Sequence, residues 1–482
     1  MVGNISMSLL YNVKWVSLSQ VIRVLCQVLA MVFFSRYLTP IEIGIMAMTV
    51  IVVNFVNVLR DMGSSAAIIQ KDNVTDELIC SVFYLNLLMG AGLFFLVYFC
   101  SGLIAAFFKE PLVSSTLSLV AIAFPINSVT SVHLALLERD SKFNKIAAVE
   151  IFSSLLSLSI AVLYAMNGGG VYSLVLQTLL YSVLSSLGFW FYSKWLPKFK
   201  FSLIDIKSIF SFSSNLIGFN IINYFSRNSD QIIIGRFFSA DLLGQYSLAY
   251  RIMLFPVQNI TFVLTRSLYP LLSRLQNDPK EAYKIYLKTL RAISFIIPPL
   301  MLGVCAVSDE FVLFVFGNKW AQISGILVWL APVAIMQSLV STTGAVFMSH
   351  AKTNVLLRIS IYNAFLQISA FLIGAFYSLK VLVLLYCVAN VLMFVPNMYL
   401  AFSVIGGRFV ELFQTIWKPL FSAFVMYSVL RYFSEDFVSH NVLVLSLIMK
   451  IIMGILVYFF CVLVLELKTL LKFLSRQKSL SN

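Results

Sequence analysis

The chain of 482 residues is 60% hydrophobic and 11% charged, with a mean hydropathy of +0.94. Soluble domains carry roughly 25% charged residues, so this composition excludes an ordinary soluble enzyme or binding module. The net charge of +14 is typical of nucleic-acid-binding proteins, but the positions of the basic residues argue against that class.

Apolar segments follow one another along the whole chain. Each has about 20 residues, which is long enough to cross a hydrocarbon core of roughly 30 Å as a helix. The segments at 241–270 and 411–432 are the weakest, because they carry polar or charged residues near their ends. We predict fourteen spans, at 12–35, 41–60, 79–105, 112–137, 146–166, 171–193, 208–227, 241–270, 284–306, 323–347, 354–377, 380–404, 411–432 and 441–466.

Basic residues are unequally distributed between the two sides of the predicted membrane. If the N-terminus is cytoplasmic, 23 of the 34 Lys and Arg residues lie on that side, 7 lie opposite, and Arg23, Arg251, Arg266 and Lys450 lie inside helices. This positive-inside bias predicts an even number of spans and two cytoplasmic termini. The basic clusters at 194–207 and 274–291 are therefore expected to face anionic lipid, and no nucleic-acid partner is predicted.

Residues for covalent, redox or metal chemistry are sparse. The six cysteines are scattered without a CxxC pattern, and the three histidines lack the spacing of a metal site. Loops are too short to hold a catalytic domain, and no acid/base pair or activated nucleophile is evident. We therefore predict that the protein is not an enzyme, has no cofactor and binds no metal.

A polar pattern occurs twice, with every position separated by 200 residues. Each copy has three polar residues on one helix face, then an arginine and a glycine. We predict two pseudo-symmetric six-helix bundles in the same orientation, plus a C-terminal helix pair. Their expected bounds are 1–207, 208–407 and 408–482, the last containing accessory helices 13 and 14 and a basic cytoplasmic tail. The repeated residues are Gln20, Arg23, Gln27, Arg36 and Gly44, then Asn220, Asn223, Arg227, Arg236 and Gly244.

The polar faces predict a substrate cavity that is rich in cations. A charge halfway along a span, such as Arg23, costs roughly 2.5–3.5 kcal/mol against lipid, so it should face water or a partner. Arginine's planar fork of donors suits phosphate oxygens. The predicted diphosphate- and sugar-binding residues are Arg23, Gln20, Gln27, Asn54, Asn57, Asn220, Asn223, Arg227, Arg251 and Gln258.

Two structural alternatives stay open for these residues. Arg23 could instead be locked to Asp61 or Glu150, and the asparagines could simply bridge packed membrane helices. Asp61 and Glu150 are also the candidates for coupling transport to H⁺ or Na⁺, since such coupling often uses a carboxylate within the membrane. Their alternative role is an ordinary salt bridge at a helix end.

Six short motifs occur in order along nearly the whole chain, at 36–44, 61–70, 136–143, 230–236, 244–246 and 317–320. With this order and spacing, the chain resembles the polysaccharide transporter family of the multidrug/oligosaccharidyl-lipid/polysaccharide exporter superfamily, in particular O-antigen and colanic-acid type flippases. The resemblance implies a V-shaped pair of six-helix bundles in the bacterial inner membrane.

The same resemblance implies a function. Such flippases move undecaprenyl-diphosphate-linked oligosaccharides to the periplasmic leaflet by alternating access, for O-antigen, capsule or exopolysaccharide biosynthesis. Its implied partners are that lipid-linked substrate, membrane lipids, H⁺ or Na⁺, and polysaccharide polymerase or assembly proteins. The alternative is a cation-coupled multidrug exporter of the same superfamily, which is expected to have an acidic cavity. A membrane-bound polymerase or ligase is a third, weaker alternative.

Overall fold

The computed structural model describes residues 2–60, 68–69, 74–200, 221, 224–276, 278–432 and 443–480, and it has no strand in these ranges. The prediction of an all-α membrane protein is confirmed. Two compact units divide the chain, Met1–Gly244 and Gln245–Asn482. The boundary predicted after residue 207 lies within 201–220, outside the described residues, and it stays a prediction.

In the ranges that the structure describes, eight helices of nine or more residues precede residue 240. We number the helices in chain order as α1 Val2–Tyr37, α2 Pro40–Arg60, α3 Asp76–Phe108, α4 Leu112–Val120, α5 Ala123–Arg139, α6 Phe143–Met166, α7 Tyr172–Ser193 and α8 224–237.

Ten α-helices follow within the described ranges, and a π-helical turn, Val257–Thr261, joins the first two. They are α9 Ala240–Pro256, α10 Phe262–Arg274, α11 Pro279–Ala306, α12 Ser308–Val315, α13 Gln322–Val340, α14 Thr343–Ser349, α15 Thr353–Ala375, α16 Leu379–Val404, α17 Val410–Tyr432 and α18 Leu443–Leu480.

Twelve helical segments of the described chain are long and apolar enough to cross a membrane. They correspond to twelve of the fourteen predicted spans. Most of the predicted span 208–227 lies outside the described residues. The predicted span 411–432 forms α17, which has 23 residues but is not among the twelve. The exact number of fourteen therefore stays a prediction.

The same irregularities occur in the fourth span of each predicted repeat. The fourth span breaks between α4 and α5, and the tenth breaks between α13 and α14. After each of these spans, one non-glycine residue adopts a left-handed backbone, Ser141 with φ 54° and Ala351 with φ 55°. These shared features are what two copies of one structural unit would show.

The two glycines of the sequence repeat lie at one backbone contact in the first unit. A Cβ atom added to Gly44 would lie 1.8 Å from the Ala240 carbonyl oxygen, and one added to Gly244 would lie 1.9 Å from the Pro40 carbonyl oxygen. The contact is thus reciprocal between the first turn of α2 and the first turn of α9. Since any larger residue would clash with backbone, only glycine permits this approach.

Each unit is held together by packing of its own helices. In the first unit α1 packs on α6, α6 on α7, and α3 on α5. In the second unit α11 packs on α13 and α17, α15 on α16, and α17 on α18. The predicted accessory helices α17 and α18 therefore pack against each other and against α11.

Candidate functional site

Arg23 lies in the middle of the span Tyr11–Tyr37 and makes an ion pair with Glu150 on α6. Its Nη1 atom is 3.2 Å from Glu150 Oε1, and its Nη2 atom donates to Gln20 Oε1 at 2.8 Å. The Arg23 side chain is still 41% exposed, whereas that of Glu150 is 16% exposed. A guanidinium has five N–H donors, so Arg23 has donors beyond these two bonds for an anion.

This ion pair joins two roles that the sequence assigned separately. Arg23 is a predicted diphosphate ligand, and Glu150 is a predicted coupling carboxylate. The structural alternative, an interhelical lock of Arg23 with Glu150, is present in the structure. Because 41% of the Arg23 side chain remains exposed, the lock and an anion-binding role are compatible. Asp61, the other predicted coupling residue, lies outside the described residues.

The other predicted ligands of the first unit lie on α1 and α2, and most of them are accessible. Gln20, Gln27 and Asn54 are exposed, and Asn57 is half-buried. The Asn57 Oδ1 atom is shielded from solvent and has no hydrogen-bond partner within the described part of the chain. An unpartnered amide oxygen in a membrane helix costs free energy, which is consistent with a ligand hydroxyl or water at this position.

The second polar copy is only partly described. Arg227 is exposed on α8, but Asn220 and Asn223 lie outside the described residues. Tyr224, on the same helix, donates a hydrogen bond from its hydroxyl to the Ile51 carbonyl oxygen and fixes α8 against α2. Arg227 is therefore held on a helix that packs firmly within the first unit.

Arg251 and Gln258 are exposed on the second unit. They are seven positions apart, so on a regular helix they would lie on nearly the same face. The π-helical turn at Val257–Thr261 begins directly after Pro256, which lacks an amide N–H and cannot continue the hydrogen-bond ladder. π-Helical turns occur frequently at functional sites. The turn therefore rotates Gln258 relative to Arg251 and makes this span locally irregular.

Two ionic clusters of the second unit were missed by sequence reasoning. Lys450 on α18 pairs with Glu310 on α12, and only 3% of the Lys450 side chain is exposed. Glu466 on α18 pairs with Arg291 on α11 and Lys418 on α17. Lys450 was identified as a charge inside a span. Its partner is 140 positions away, and no spacing rule connects them.

A third missed feature is a polar network in the core of the second unit. The Gln337 amide donates to the Tyr386 hydroxyl at 2.7 Å and to Asn390 Oδ1 at 3.2 Å. Asn363 and Asn397 exchange two amide hydrogen bonds, of 3.3 and 2.9 Å. These satisfied amides are interhelical bridges, which is the structural role that the sequence left open for asparagine.

Comparisons with known proteins identify the family. Residues 33–325 match the family described as "Polysaccharide biosynthesis protein". The chain is 27% identical, over 86% of its length and 87% of the relative's, to the teichuronic acid biosynthesis protein TuaB of Bacillus subtilis. It is 25% identical, over 75% of its length and 74% of the relative's, to the lipopolysaccharide biosynthesis protein WzxC of Escherichia coli.

A solved structure has a similar fold. The lipid II flippase MurJ, in an inward closed conformation, superimposes with a TM-score of 0.76 at 17% identity, over 94% of this chain and 99% of that one. The fold and the sequence matches confirm the predicted resemblance to polysaccharide transporters. The chain belongs to the polysaccharide biosynthesis protein family.

Proposed function

We propose that the protein is a flippase that moves undecaprenyl-diphosphate-linked oligosaccharides across the bacterial inner membrane by alternating access. The observation that carries the proposal is a membrane transporter fold of the polysaccharide biosynthesis family with accessible arginines within its membrane spans. Relatives named for teichuronic acid and lipopolysaccharide biosynthesis, and a fold neighbour named as a lipid II flippase, support it.

The accessible cations would bind the diphosphate of the substrate. Arg23, Arg227 and Arg251 supply planar donor groups that can bind phosphate oxygens through two hydrogen bonds each. Exposed amides, such as those of Gln20, Gln27 and Asn54, would bind sugar hydroxyls. The isoprenoid tail would remain in the bilayer, since burying it in a polar interior would forfeit its hydrophobic stabilisation.

The Arg23–Glu150 pair offers a route to ion coupling. A diphosphate that binds Arg23 would compete with Glu150 for the guanidinium. Glu150 would then be a half-buried carboxylate that has lost its counter-ion, which favours uptake of H⁺ or binding of Na⁺. Substrate and coupling ion would therefore share one ion pair.

We further propose the orientation of the protein in the membrane and the partners that it acts with. Both termini would be cytoplasmic, in line with the positive-inside bias. Substrate would enter from the cytoplasmic leaflet and leave to the periplasmic leaflet, where a polysaccharide polymerase or assembly protein would consume it. No catalytic step is assigned to the chain, and the names of its relatives describe biosynthesis and transport rather than a reaction.

The test is complementation of a deletion strain with Arg23→Ala and Arg251→Ala. We expect either variant to reduce surface polysaccharide at unchanged protein level. Arg358→Ala is the matched control, since Arg358 is an exposed arginine on α15 that is not among the predicted ligands. Normal polysaccharide with both variants would remove the anion-binding role. Altered drug sensitivity with an unchanged surface coat would favour the multidrug exporter.

A further inference from the structure

Three charged side chains meet where α11, α17 and α18 pack together in the second unit. Glu466 Oε1 lies 2.6 Å from Arg291 Nη2 and 3.4 Å from Lys418 Nζ. The Glu466 side chain is 8% exposed, whereas those of Arg291 and Lys418 are 43% and 27% exposed. One shielded carboxylate thus holds two cations that remain accessible from outside the unit.

The cluster lies at one end of the membrane spans. Glu466 directly follows the apolar run 451–465 on α18. Arg291 and Lys418 directly precede the apolar runs 292–306 on α11 and 419–430 on α17. Both runs are predicted to enter the membrane from the cytoplasmic side. Long cationic side chains at this depth reach the polar headgroups of the bilayer. Because they lie at the ends of apolar runs, we expect the cations at the level of the lipid phosphates rather than in the middle of the hydrocarbon core.

Phe295 and Glu466 orient the Arg291 guanidinium so that it can bind an oxygen ligand. Its guanidinium carbon lies 5.7 Å from the centre of the Phe295 ring, so the ring covers part of the guanidinium. Glu466 accepts from one nitrogen. These two contacts orient the guanidinium, and 43% of the Arg291 side chain stays exposed. A preorganised guanidinium of this kind is suited to a phosphate, which accepts two hydrogen bonds from one arginine.

Charge balance favours an additional anion. Among the described side chains of this cluster, two cations and one carboxylate leave an excess of one positive charge at the edge of a low-dielectric region, where such an excess is costly. The mobile anions at this depth are the phosphate groups of lipids. We propose that Arg291 and Lys418 form a lipid-phosphate site on the second unit, with Glu466 holding the two cations in position.

The phosphate could come from an anionic phospholipid of the bilayer or from a lipid diphosphate of the kind that the proposed flippase would carry. Binding of a phospholipid at this site does not depend on the proposed function. If deletion of the protein left surface polysaccharide unchanged, the proposed function would fail while the phospholipid measurement could still succeed. The two outcomes are therefore distinguishable.

The experiment uses the full chain in nanodiscs of phosphatidylcholine, with or without phosphatidylglycerol, and in parallel with undecaprenyl diphosphate. Retained lipid is measured by native mass spectrometry and thermal stability by tryptophan fluorescence. We expect at least one phosphate lipid to be retained and to raise the unfolding temperature. Arg291→Gln and Lys418→Gln should weaken its binding about 10-fold or more, as expected for losing a hydrogen bond to a charged group.

Two further variants distinguish a lipid site from a purely structural triad. Glu466→Gln removes the carboxylate that positions Arg291 and Lys418 and should weaken lipid binding, whereas a structural triad would only lose stability, equally in every lipid. Lys288→Gln, one turn from Arg291 and exposed, should retain lipid as the unmodified protein does. The lipid that binds identifies the source of the phosphate. The proposal is overturned if neither lipid binds, or if Lys288→Gln loses as much binding as Arg291→Gln.

Discussion

Arg23 and Glu150 form an ion pair that joins the middle of α1 to α6, with 3.2 Å between Nη1 and Oε1. The pair couples a cation that the sequence marks as a substrate ligand to a carboxylate that it marks as a site of ion coupling. Glu150 is the more shielded partner, and Arg23 the more accessible one. This difference in exposure is what an anion that competes for Arg23 would require.

The charge-reversed pair Arg23→Glu with Glu150→Arg separates packing from substrate binding. Each single variant opposes two like charges and should destabilise the protein by roughly 1–3 kcal/mol, between the values for exposed and buried pairs. The double variant should recover thermal stability but not surface polysaccharide, because the cation moves to the shielded position. Recovery of both would show that the pair is only structural.

The reciprocal glycine contact predicts a steric effect. Gly44→Ala and Gly244→Ala place a Cβ atom within 2 Å of a backbone oxygen, so the two helix ends must separate. We expect each variant to lose roughly 1–3 kcal/mol, the usual cost of overpacking, or to fold poorly. Gly92→Ala on α3 is the control, since nothing lies within 4 Å of its added Cβ. The effect is measured as the yield of folded protein after detergent extraction and as the unfolding temperature. A Gly44→Ala protein as stable as the Gly92→Ala protein would contradict the contact.

The buried pair of Lys450 with Glu310 should stabilise the attachment of α18. Lys450→Met leaves the Glu310 carboxylate shielded and without this partner, which should cost roughly 3–5 kcal/mol. Lys450→Met combined with Glu310→Gln should recover much of the loss, because no unpaired charge then remains. Lys284→Met, from a pair whose side chains are 65% and 40% exposed, should change stability by about 1 kcal/mol or less. Thermal unfolding of all four proteins in one detergent compares them.

The left-handed residue Ala351 predicts a stabilising substitution. An L-residue with φ near 55° is strained by roughly 1–2 kcal/mol, which glycine avoids. Ala351→Gly should therefore be neutral or stabilise by about 1 kcal/mol. Ala364→Gly lies inside the regular helix α15 and should have the opposite sign, a loss of about 1 kcal/mol. Equal losses in the two variants, measured as unfolding temperatures, would contradict the assigned backbone conformation.

Much of the architecture was predictable from local sequence properties. Apolar runs located the spans that the structure describes, because hydropathy over about 20 residues is a direct requirement of the bilayer. The offset of 200 residues identified Gly44 and Gly244 as related positions. The breaks within the fourth and tenth spans were not predicted. Ala121 and Ile122 at the first break are apolar, and Ser341 and Thr342 at the second are small residues that membrane helices also contain.

Partners of charged residues were far less predictable. Arg23 was expected to need a partner or water because of its depth, but the choice of Glu150, 127 positions away, depends on how α1 packs on α6. Glu466 and Lys450 end up shielded for the same reason. An ion pair requires its two charges to lie within a few ångströms. The number of residues between two helices does not predict the distance between their side chains.

Composition and periodicity therefore determined the class of protein, the course of its spans and the depth of Arg23, because these properties depend only on neighbouring residues and on the thickness of a membrane. The tertiary structure decided which cations are neutralised and which stay accessible: Arg23 shares its charge with Glu150, Lys450 is enclosed with Glu310, and Arg291 and Lys418 outnumber Glu466. That decision requires helix packing, since only packing brings distant charges together and shields them from lipid and water.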